Sequence, residues 1–139
     1  MQNKLLIFLS MAMIVSSSAH ACSRAFAIDL DFAESSADLE KAEIVRLTAW
    51  LDKWRAIFPR FERVVVDGIA LESAQDAKAL SRRRAEVATR AVRPLLEGVP
   101  IHESSHLNRP FPSFKGGNYV GIDLVPFQED LPKCGKPIK

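Results

Sequence analysis

The pattern of apolar and polar residues along the chain predicts two strand–helix units followed by two further strands. Residues 26–32 alternate apolar and polar side chains in their second half, which is typical of a half-buried strand. Ser35 and Asp38 then form a capping-box pattern, so a helix is predicted to begin there and to end near Phe58, before Pro59. The apolar stripe of this helix consists of Ile44, Leu47, Leu51, Trp54 and Phe58.

The second strand–helix unit follows the same pattern. A largely apolar run from about Glu62 to Ala70 predicts a buried strand. Ser73 and Asp76 repeat the capping-box spacing, and a helix is expected over about residues 74–96. Pro94 should kink this helix or end it early. The stripe facing the core consists of Ala77, Leu80, Val87, Ala88, Ala91, Val92 and Leu95.

The rest of the chain adds two strands without another helix. We expect strands over residues 99–107 and 118–125, a loop rich in Pro and Gly over 107–117, and a polar tail over 126–139. Strand–helix–strand units need crossover connections, which are right-handed in nearly every sheet. The order β-α-β-α-β-β therefore predicts an α/β (α+β) two-layer sandwich, in which two helices cover one face of a small mixed sheet.

The N-terminus has the features of an export signal. Residues 1–21 combine one lysine, an apolar run too short to span a bilayer, and the small-x-small cleavage site Ala19-His20-Ala21. Cleavage there would leave residues 22–139, which are 118 residues (139 − 21) and enough for a single domain. Cys22 directly after the site leaves a second possibility open, a lipoprotein acylated at that cysteine.

The two cysteines and the net charge bear on the compartment of the protein and on the partners it can bind. Cys22 and Cys134 are the only cysteines, and in an oxidising compartment we expect them to form a disulfide that joins the ends of the domain. The net charge of +2 falls to +1 when Lys4 is removed with the signal, so nothing points to nucleic acid. No later stretch is long and apolar enough to be a membrane helix.

One arginine of the second helix lies on its apolar face. Arg84 is four residues from both Leu80 and Ala88, whereas Arg82 and Arg83 point elsewhere. A guanidinium on an apolar face must extend to water, find an internal partner or bind an anionic ligand.

Two segments of the sequence are distinctive, Val64-Val65-Val66-Asp67-Gly68 at the end of the second strand and Leu80-Ser81-Arg82-Arg83-Arg84-Ala85 in the second helix. They resemble the OmpA-like, peptidoglycan-associated domain family. With the element order, the resemblance covers about residues 27–125. It implies a non-catalytic periplasmic domain that binds peptidoglycan non-covalently through the diaminopimelate of the stem peptide. The family's carboxylate-binding arginine corresponds to Arg84, and a guanidinium suits that role because its planar fork can make two parallel hydrogen bonds.

The chain departs from the family pattern around this site. The second strand of the family usually ends in Gly-aromatic-Thr-Asp, and Leu71 stands here where the aspartate would bind the ammonium of diaminopimelate. Ala77 and Gly121 stand where the family commonly has an asparagine and an arginine. Glu72 could replace the missing aspartate, or it could be a first-turn acid that stabilises the helix N-terminus. The alternative function is a protein-interaction module that binds another periplasmic protein and no longer binds peptidoglycan.

A competing motif lies further along the chain. His102-Glu103-Ser104-Ser105-His106 fits the H-E-x-x-H pattern of zinc peptidases, which requires a helix to bring both histidines to one metal. In a strand the two histidines would be about 13 Å apart, too far to share a zinc ion. A third ligand would have to be Asp123 or Glu129. We therefore expect no enzyme, no metal and no cofactor, and keep a small zinc metallopeptidase as a minor alternative.

Overall fold

The computed structural model describes residues 25–109 and 116–133. Its strands are β1 (Phe26–Asp31), β2 (Phe61–Leu71), β3 (Ile101–Asn108) and β4 (Tyr119–Pro126), and its helices are α1 (Lys41–Ile57) and α2 (Ala77–Val92). Short 3-10 turns follow α2 and β4 at Arg93–Leu95 and Gln128–Asp130. The predicted order β-α-β-α-β-β is confirmed.

The four strands form one mixed sheet in the order β1-β4-β2-β3. Strand β4 runs antiparallel to both of its neighbours, β1 and β2, whereas β3 pairs parallel to β2. Strands β1 and β3 are therefore the two edges of the sheet, and β2 and β4 are its centre.

Both helices pack on the same face of this sheet, as predicted for a two-layer sandwich. Alternate residues of the strands point toward the helices, because side chains along a strand alternate between the two faces. The buried core includes Leu30, Leu47, Leu51, Val64, Val66, Ala88, Val92, Val120, Ile122 and Leu124. The opposite face of the sheet carries no helix among the described residues, and we call it the open face.

Gly68 lets α2 approach the sheet closely. A Cβ atom at this position would lie 2.1 Å from the carbonyl oxygen of Ser81 and 2.8 Å from the amide nitrogen of Ala85. Both atoms belong to the main chain of α2, so a side chain at position 68 would push the whole helix outward.

Both predicted helix starts are wrong. The hydroxyl of Ser36 accepts a hydrogen bond from the Asp38 amide at 2.9 Å, so this segment forms its own turn and α1 begins only at Lys41. Asp76 has a left-handed backbone (φ 51°) and makes no side-chain cap, and α2 begins at Ala77. Ile44, predicted on the apolar stripe, is 42% exposed.

The predicted helix end and the strand positions agree better with the structure. Pro94 lies in the 3-10 turn that follows Val92, and it ends α2 as predicted. Strands β3 and β4 begin two residues and one residue later than expected. The predicted tail begins as an ordered turn, in which Glu129 and Asp130 form ion pairs with Arg60 at 2.7 and 3.0 Å.

Several predictions concern residues outside the described ranges. The signal peptide (1–21), Cys22, Cys134 and most of the loop 107–117 lie there. Among the helices that the structure describes, none has the length and apolar character needed to cross a bilayer.

Candidate ligand site around Arg84

Arg84 lies on the face of α2 that packs against the sheet, and it is fully buried (0% exposed). Each of its five N–H groups has an acceptor inside the protein. Nε donates to the Ser36 carbonyl (2.8 Å), Nη1 to the Ile69 carbonyl (2.8 Å) and Asn118 Oδ1 (3.0 Å), and Nη2 to the carbonyls of Ala33 (2.8 Å) and Glu34 (3.0 Å).

These acceptors come from three separate segments of the chain. The turn between β1 and α1, residues 33–36, supplies three carbonyls, the end of β2 supplies one, and Asn118 precedes β4. The ring of Phe32, 5.5 Å from the guanidinium carbon, covers another side of the group. Arg84 therefore links α2 to the ends of three strands.

None of these partners is a side-chain carboxylate. The sequence has seventeen aspartates and glutamates, all within the described residues, and none forms a salt bridge with Arg84. Burial lowers the pKa of the Arg84 guanidinium, because desolvation disfavours its charge. An arginine nevertheless stays protonated at neutral pH. The site thus holds a buried positive charge that is balanced only by neutral dipoles.

The three positions at which the sequence departs from the OmpA-like pattern lie in different parts of the structure. The side chain of Leu71 packs against Gly117, so that a Cβ at position 117 would lie 2.2 Å from Leu71 Cδ2. Ala77 is buried as the first residue of α2. Gly121 lies on the open face of the sheet, where it pairs with Asp67.

Glu72 follows the end of β2 and contacts a different arginine. Its Oε2 accepts a hydrogen bond from Arg109 Nε at 3.0 Å, and both side chains are at least half exposed. The structure does not bring Glu72 into contact with Arg84. The interpretation of Glu72 as a first-turn acid is wrong, because α2 begins only at Ala77.

The neighbouring arginines are in solvent, as predicted. Arg82 and Arg83 are exposed, and Arg82 pairs with Glu86 at 3.6 Å one turn further along α2. Arg83 offers a matched control for Arg84, because the two arginines are adjacent in sequence and differ in burial.

The acceptors that hold Arg84 were not among the predicted site residues. Four of the five are main-chain carbonyls, which leave no signature in residue types. Asn118 was the one acceptor that a side chain could have revealed, and its amide could have been weighed as a partner for the arginine predicted on the apolar face of the second helix.

The H-E-x-x-H segment forms strand β3, not a helix. His102 and His106 lie on the open face, opposite Val65 and Ile69 of β2, and Glu103 points to the other face. His106 Nδ1 contacts Asp67 Oδ1 at 2.6 Å, and Asp123 is two strands away from His102. Among the described residues no group of three potential ligands could hold a metal ion.

Three carboxylates lie near one another on the open face of the sheet. Asp29 and Asp67 flank Gly121 in the same cross-strand row, and Asp123 follows two residues along β4. Burial raises the pKa of the Asp123 carboxyl, and the nearby charges of Asp29 and Asp67 raise it further.

The comparisons with known proteins bear on the fold. No family model matches the sequence, and no curated protein matches it. Among solved structures, it is similar to the OmpA-like domain of FopA1 from Francisella tularensis subsp. tularensis SCHU S4, with a TM-score of 0.51, 17% identity, and coverage of 72% of this chain and 71% of that chain.

Two further structures are similar at lower scores. The peptidoglycan-associated lipoprotein from Burkholderia pseudomallei has a TM-score of 0.45 and 19% identity, with coverage of 70% of this chain and 87% of that one. An outer membrane protein from Borrelia burgdorferi B31 has a TM-score of 0.45 and 14% identity, with coverage of 73% and 87%. The likeness to the FopA1 domain shows that this chain has the OmpA-like fold.

Proposed function

We propose that this chain, which has the OmpA-like fold, is a non-catalytic periplasmic domain that binds peptidoglycan non-covalently through its stem peptide. In this proposal Arg84 binds a carboxylate of diaminopimelate, and Glu72 binds the ammonium. The observation that carries the proposal is the buried charge of Arg84, which has no acidic partner although every aspartate and glutamate of the sequence is described. A carboxylate would supply the missing negative charge and form charge-assisted hydrogen bonds, which are shorter and stronger than those to neutral carbonyls.

Access to Arg84 requires the turn over residues 33–36 to move. Nη2 would exchange the carbonyls of Ala33 and Glu34 for carboxylate oxygens. This exchange is feasible because residues 33–35 are exposed, so their displacement leaves the core intact. A cleft of about 390 Å³ borders the same turn, and its lining includes two arginines and two acids, Arg83, Arg90, Asp38 and Glu86.

Glu72 is available to a ligand because its ion pair with Arg109 is weak. The ion pair with Arg109 is exposed on both sides, and such pairs contribute about 0–1 kcal/mol. An ammonium group from the stem peptide can therefore compete with Arg109 for the Glu72 carboxylate.

The periplasmic location rests on the export signal and the cysteines, which lie outside the described residues. We expect cleavage before Cys22 and a disulfide between Cys22 and Cys134. In the chain-entropy model a bridge closing so long a loop stabilises by about 4–5 kcal/mol, ignoring strain. Non-reducing peptide mapping of protein recovered from the periplasm should give one linked Cys22–Cys134 peptide, and an acylated N-terminal cysteine would contradict the disulfide and support the lipoprotein alternative.

The first experiment is co-sedimentation of the purified protein with diaminopimelate-type sacculi. The test variant is Arg84→Lys, which keeps the charge but loses the planar fork, and the control is Arg82→Lys, an exposed arginine of α2 that does not line the cleft beside residues 33–36. We expect the wild type and the control to sediment alike, and Arg84→Lys to bind about tenfold more weakly, since a charged hydrogen bond contributes about 1.5–3 kcal/mol. Thermal unfolding of each variant must show that it is folded at the assay temperature.

Competition separates the role of Arg84 from general adhesion. Free diaminopimelate should release the wild type from the sacculi, and Glu72→Gln should weaken binding whereas Glu97→Gln, at an exposed position outside the same cleft, should not. Failure of the folded wild type to sediment would contradict the proposal. Equal sedimentation of Arg84→Lys and Arg82→Lys would show that the wall is bound elsewhere on the protein.

The second candidate function is a protein-interaction module in which the cell-wall site is closed. The observation that favours it is that all five N–H groups of Arg84 already have acceptors inside the protein. Leu71, which packs against Gly117, offers no charge to an ammonium group. The sedimentation experiment distinguishes the two candidates, because a closed site predicts no binding of the wild type.

A further inference from the structure

The two edge strands of the sheet differ in how their outward main-chain groups are satisfied. On β1 the amide of Asp31 donates to Glu43 Oε2 at 2.8 Å, and the carbonyl of Asp29 accepts a hydrogen bond from Arg46 Nη2. Both side chains come from α1, and Arg46 also pairs with Glu43 at 2.9 Å. The edge at β1 is therefore blocked by the protein's own helix.

The pairing of β3 with β2 fixes which groups of β3 point outward. At the two ends of the ladder, the Val64 amide donates to the Pro100 carbonyl and the Glu72 amide to the Asn108 carbonyl, each at 2.9 Å. In a parallel ladder alternate residues of a strand bond to the neighbour, so the even-numbered residues of β3 face β2. The residues that direct both N–H and C=O away from the sheet are Ile101, Glu103, Ser105 and Leu107.

Nothing in the described part of the chain covers this second edge. No described group forms a hydrogen bond with the outward amides and carbonyls of β3, and residues 102–107 are all exposed. The strand spans eight residues and contains neither Lys nor Pro, two residue types that usually block an edge. An edge of this kind is a template for another extended segment.

A cleft beside the edge carries an excess of positive charge. It has a volume of about 420 Å³ and lies between the start of α2 and β3, with Asp76, Lys78, Arg82 and Ser105 among its lining residues. Lys78 has no salt bridge among the described residues, and Arg82 pairs only with Glu86 at 3.6 Å. The side chain of Ser105 points to the helix side of the sheet, so a strand added at this edge would place its own alternate side chains over the cleft.

We propose that the β3 edge is the docking site for an extended segment of a partner protein, which adds a fifth strand and places an acidic side chain in the cleft beside Lys78 and Arg82. The main-chain groups of the four outward residues supply the hydrogen bonds, and the two cations supply the preference for acid. This surface is separate from the Arg84 site, so the inference holds whichever of the two candidate functions is correct.

The test uses two synthetic peptides and the intact protein. The probes are acetyl-Thr-Val-Thr-Glu-Thr-Val-Thr-amide and the same peptide with Lys in place of Glu. We expect the Glu peptide to bind about tenfold more tightly, with NMR amide shifts centred on Ile101, Glu103, Ser105 and Leu107. The double variant Lys78→Glu with Arg82→Glu should reverse this preference.

A proline at an outward position tests the strand pairing itself. Ser105→Pro removes an outward N–H group without touching the β2 ladder, and proline is tolerated at such edge positions. It should abolish binding of the Glu peptide while the protein stays folded, and Ser105→Thr should bind like the wild type.

Three results would overturn the proposal. The first is no binding of either peptide to the folded protein up to about 1 mM, an affinity below that of weak specific complexes. The second is equal binding to Ser105→Pro and Ser105→Thr. The third is self-association of the protein that Ser105→Pro abolishes, because the occupant of the edge would then be a second copy of the chain.

Discussion

Two charged regions of this molecule differ in the environment of their charged groups. Arg84 is buried in the core with five acceptors, and none of them is an acid. On the open face of the sheet, Asp29, Asp67 and Asp123 lie close together, and none of the three side chains pairs with a lysine or arginine among the described residues.

The difference shows that burial, more than the number of partners, decides how much a charged group destabilises the folded state. A buried charge loses its hydration, so every N–H group of Arg84 must find an acceptor in the protein. Carboxylates at a surface keep water and are screened by salt, so three of them can be neighbours at a modest cost. Changes at Arg84 should therefore have large effects on stability, and changes on the open face small ones.

The largest effect is expected from Arg84→Met. Methionine replaces the apolar stem of arginine but has no N–H group, so four carbonyls and the Asn118 amide oxygen would lose a donor. We expect the free energy of unfolding to fall by at least about 3 kcal/mol, since each buried unsatisfied group costs about 1–3 kcal/mol. Urea unfolding measures this loss.

The control is Arg83→Met, the adjacent and exposed arginine. It should change the stability by no more than about 0.5 kcal/mol, as surface substitutions usually do. Similar losses in the two variants would mean that the hydrogen bonds around Arg84 contribute little to folding.

The two faces of the sheet also differ in how closely other atoms approach them, and uncharged substitutions test this difference. Gly68→Ala places a Cβ atom 2.1 Å from the Ser81 carbonyl oxygen, and the helix must shift to make room. We expect a loss of about 1–3 kcal/mol, the usual range for overpacking. Gly121→Ala is the matched control on the open face, because its Cβ would lie no closer than 3.7 Å to any neighbour. A loss in the control as large as in Gly68→Ala would contradict the close approach of α2.

The sequence alone was sufficient to predict the element order, the two-layer architecture and the position of Arg84 on the apolar face of the second helix. These features depend on the spacing of apolar residues, because side chains on one face recur every 3.6 residues in a helix and every 2 residues in a strand. The partners of Arg84 could not be predicted, because the carbonyls of residues 33, 34, 36 and 69 come together only when the strand ends are in place. The first capping box failed because Asp38 bonds to Ser36 within a local turn, so that α1 begins only at Lys41. The second failed because Asp76 has a left-handed backbone and makes no side-chain cap.

A cation added to the open face should stabilise the protein. Gly121→Lys would place an ammonium group in the row between Asp29 and Asp67, and no neighbour obstructs a side chain there. Cross-strand pairs of opposite charge contribute about 0.2–1 kcal/mol, so we expect a gain in the free energy of unfolding of about 1 kcal/mol over the neutral control Gly121→Gln. The difference between the two variants should shrink in 1 M salt, where charges are screened within about 3 Å. A difference independent of salt would show that the gain is not electrostatic.

The smallest effect is expected from Asp123→Asn, and it depends on pH. The pKa of Asp123 is raised in the folded protein, first by desolvation and then by Asp29 and Asp67. The folded state therefore binds this proton more tightly than the unfolded state does. Its contribution to stability is fully present below the ordinary pKa of an aspartate and is lost as the pH rises through the raised value. At neutral pH the wild type thus carries a penalty that asparagine, which has no charge, does not.

We expect Asp123→Asn to be more stable than the wild type at pH 7 by less than about 1 kcal/mol, a limit set by solvent screening of this partly exposed group. The gain should disappear when urea unfolding is repeated below the ordinary pKa of an aspartate, about 3.9, where the wild-type carboxyl is protonated in both states. Asp52→Asn is the matched control, because Asp52 is exposed on α1 beside Arg55 and should show no such gain. A gain that persists unchanged in acid would mean that asparagine improves packing at position 123, and the three carboxylates would then not be in electrostatic conflict.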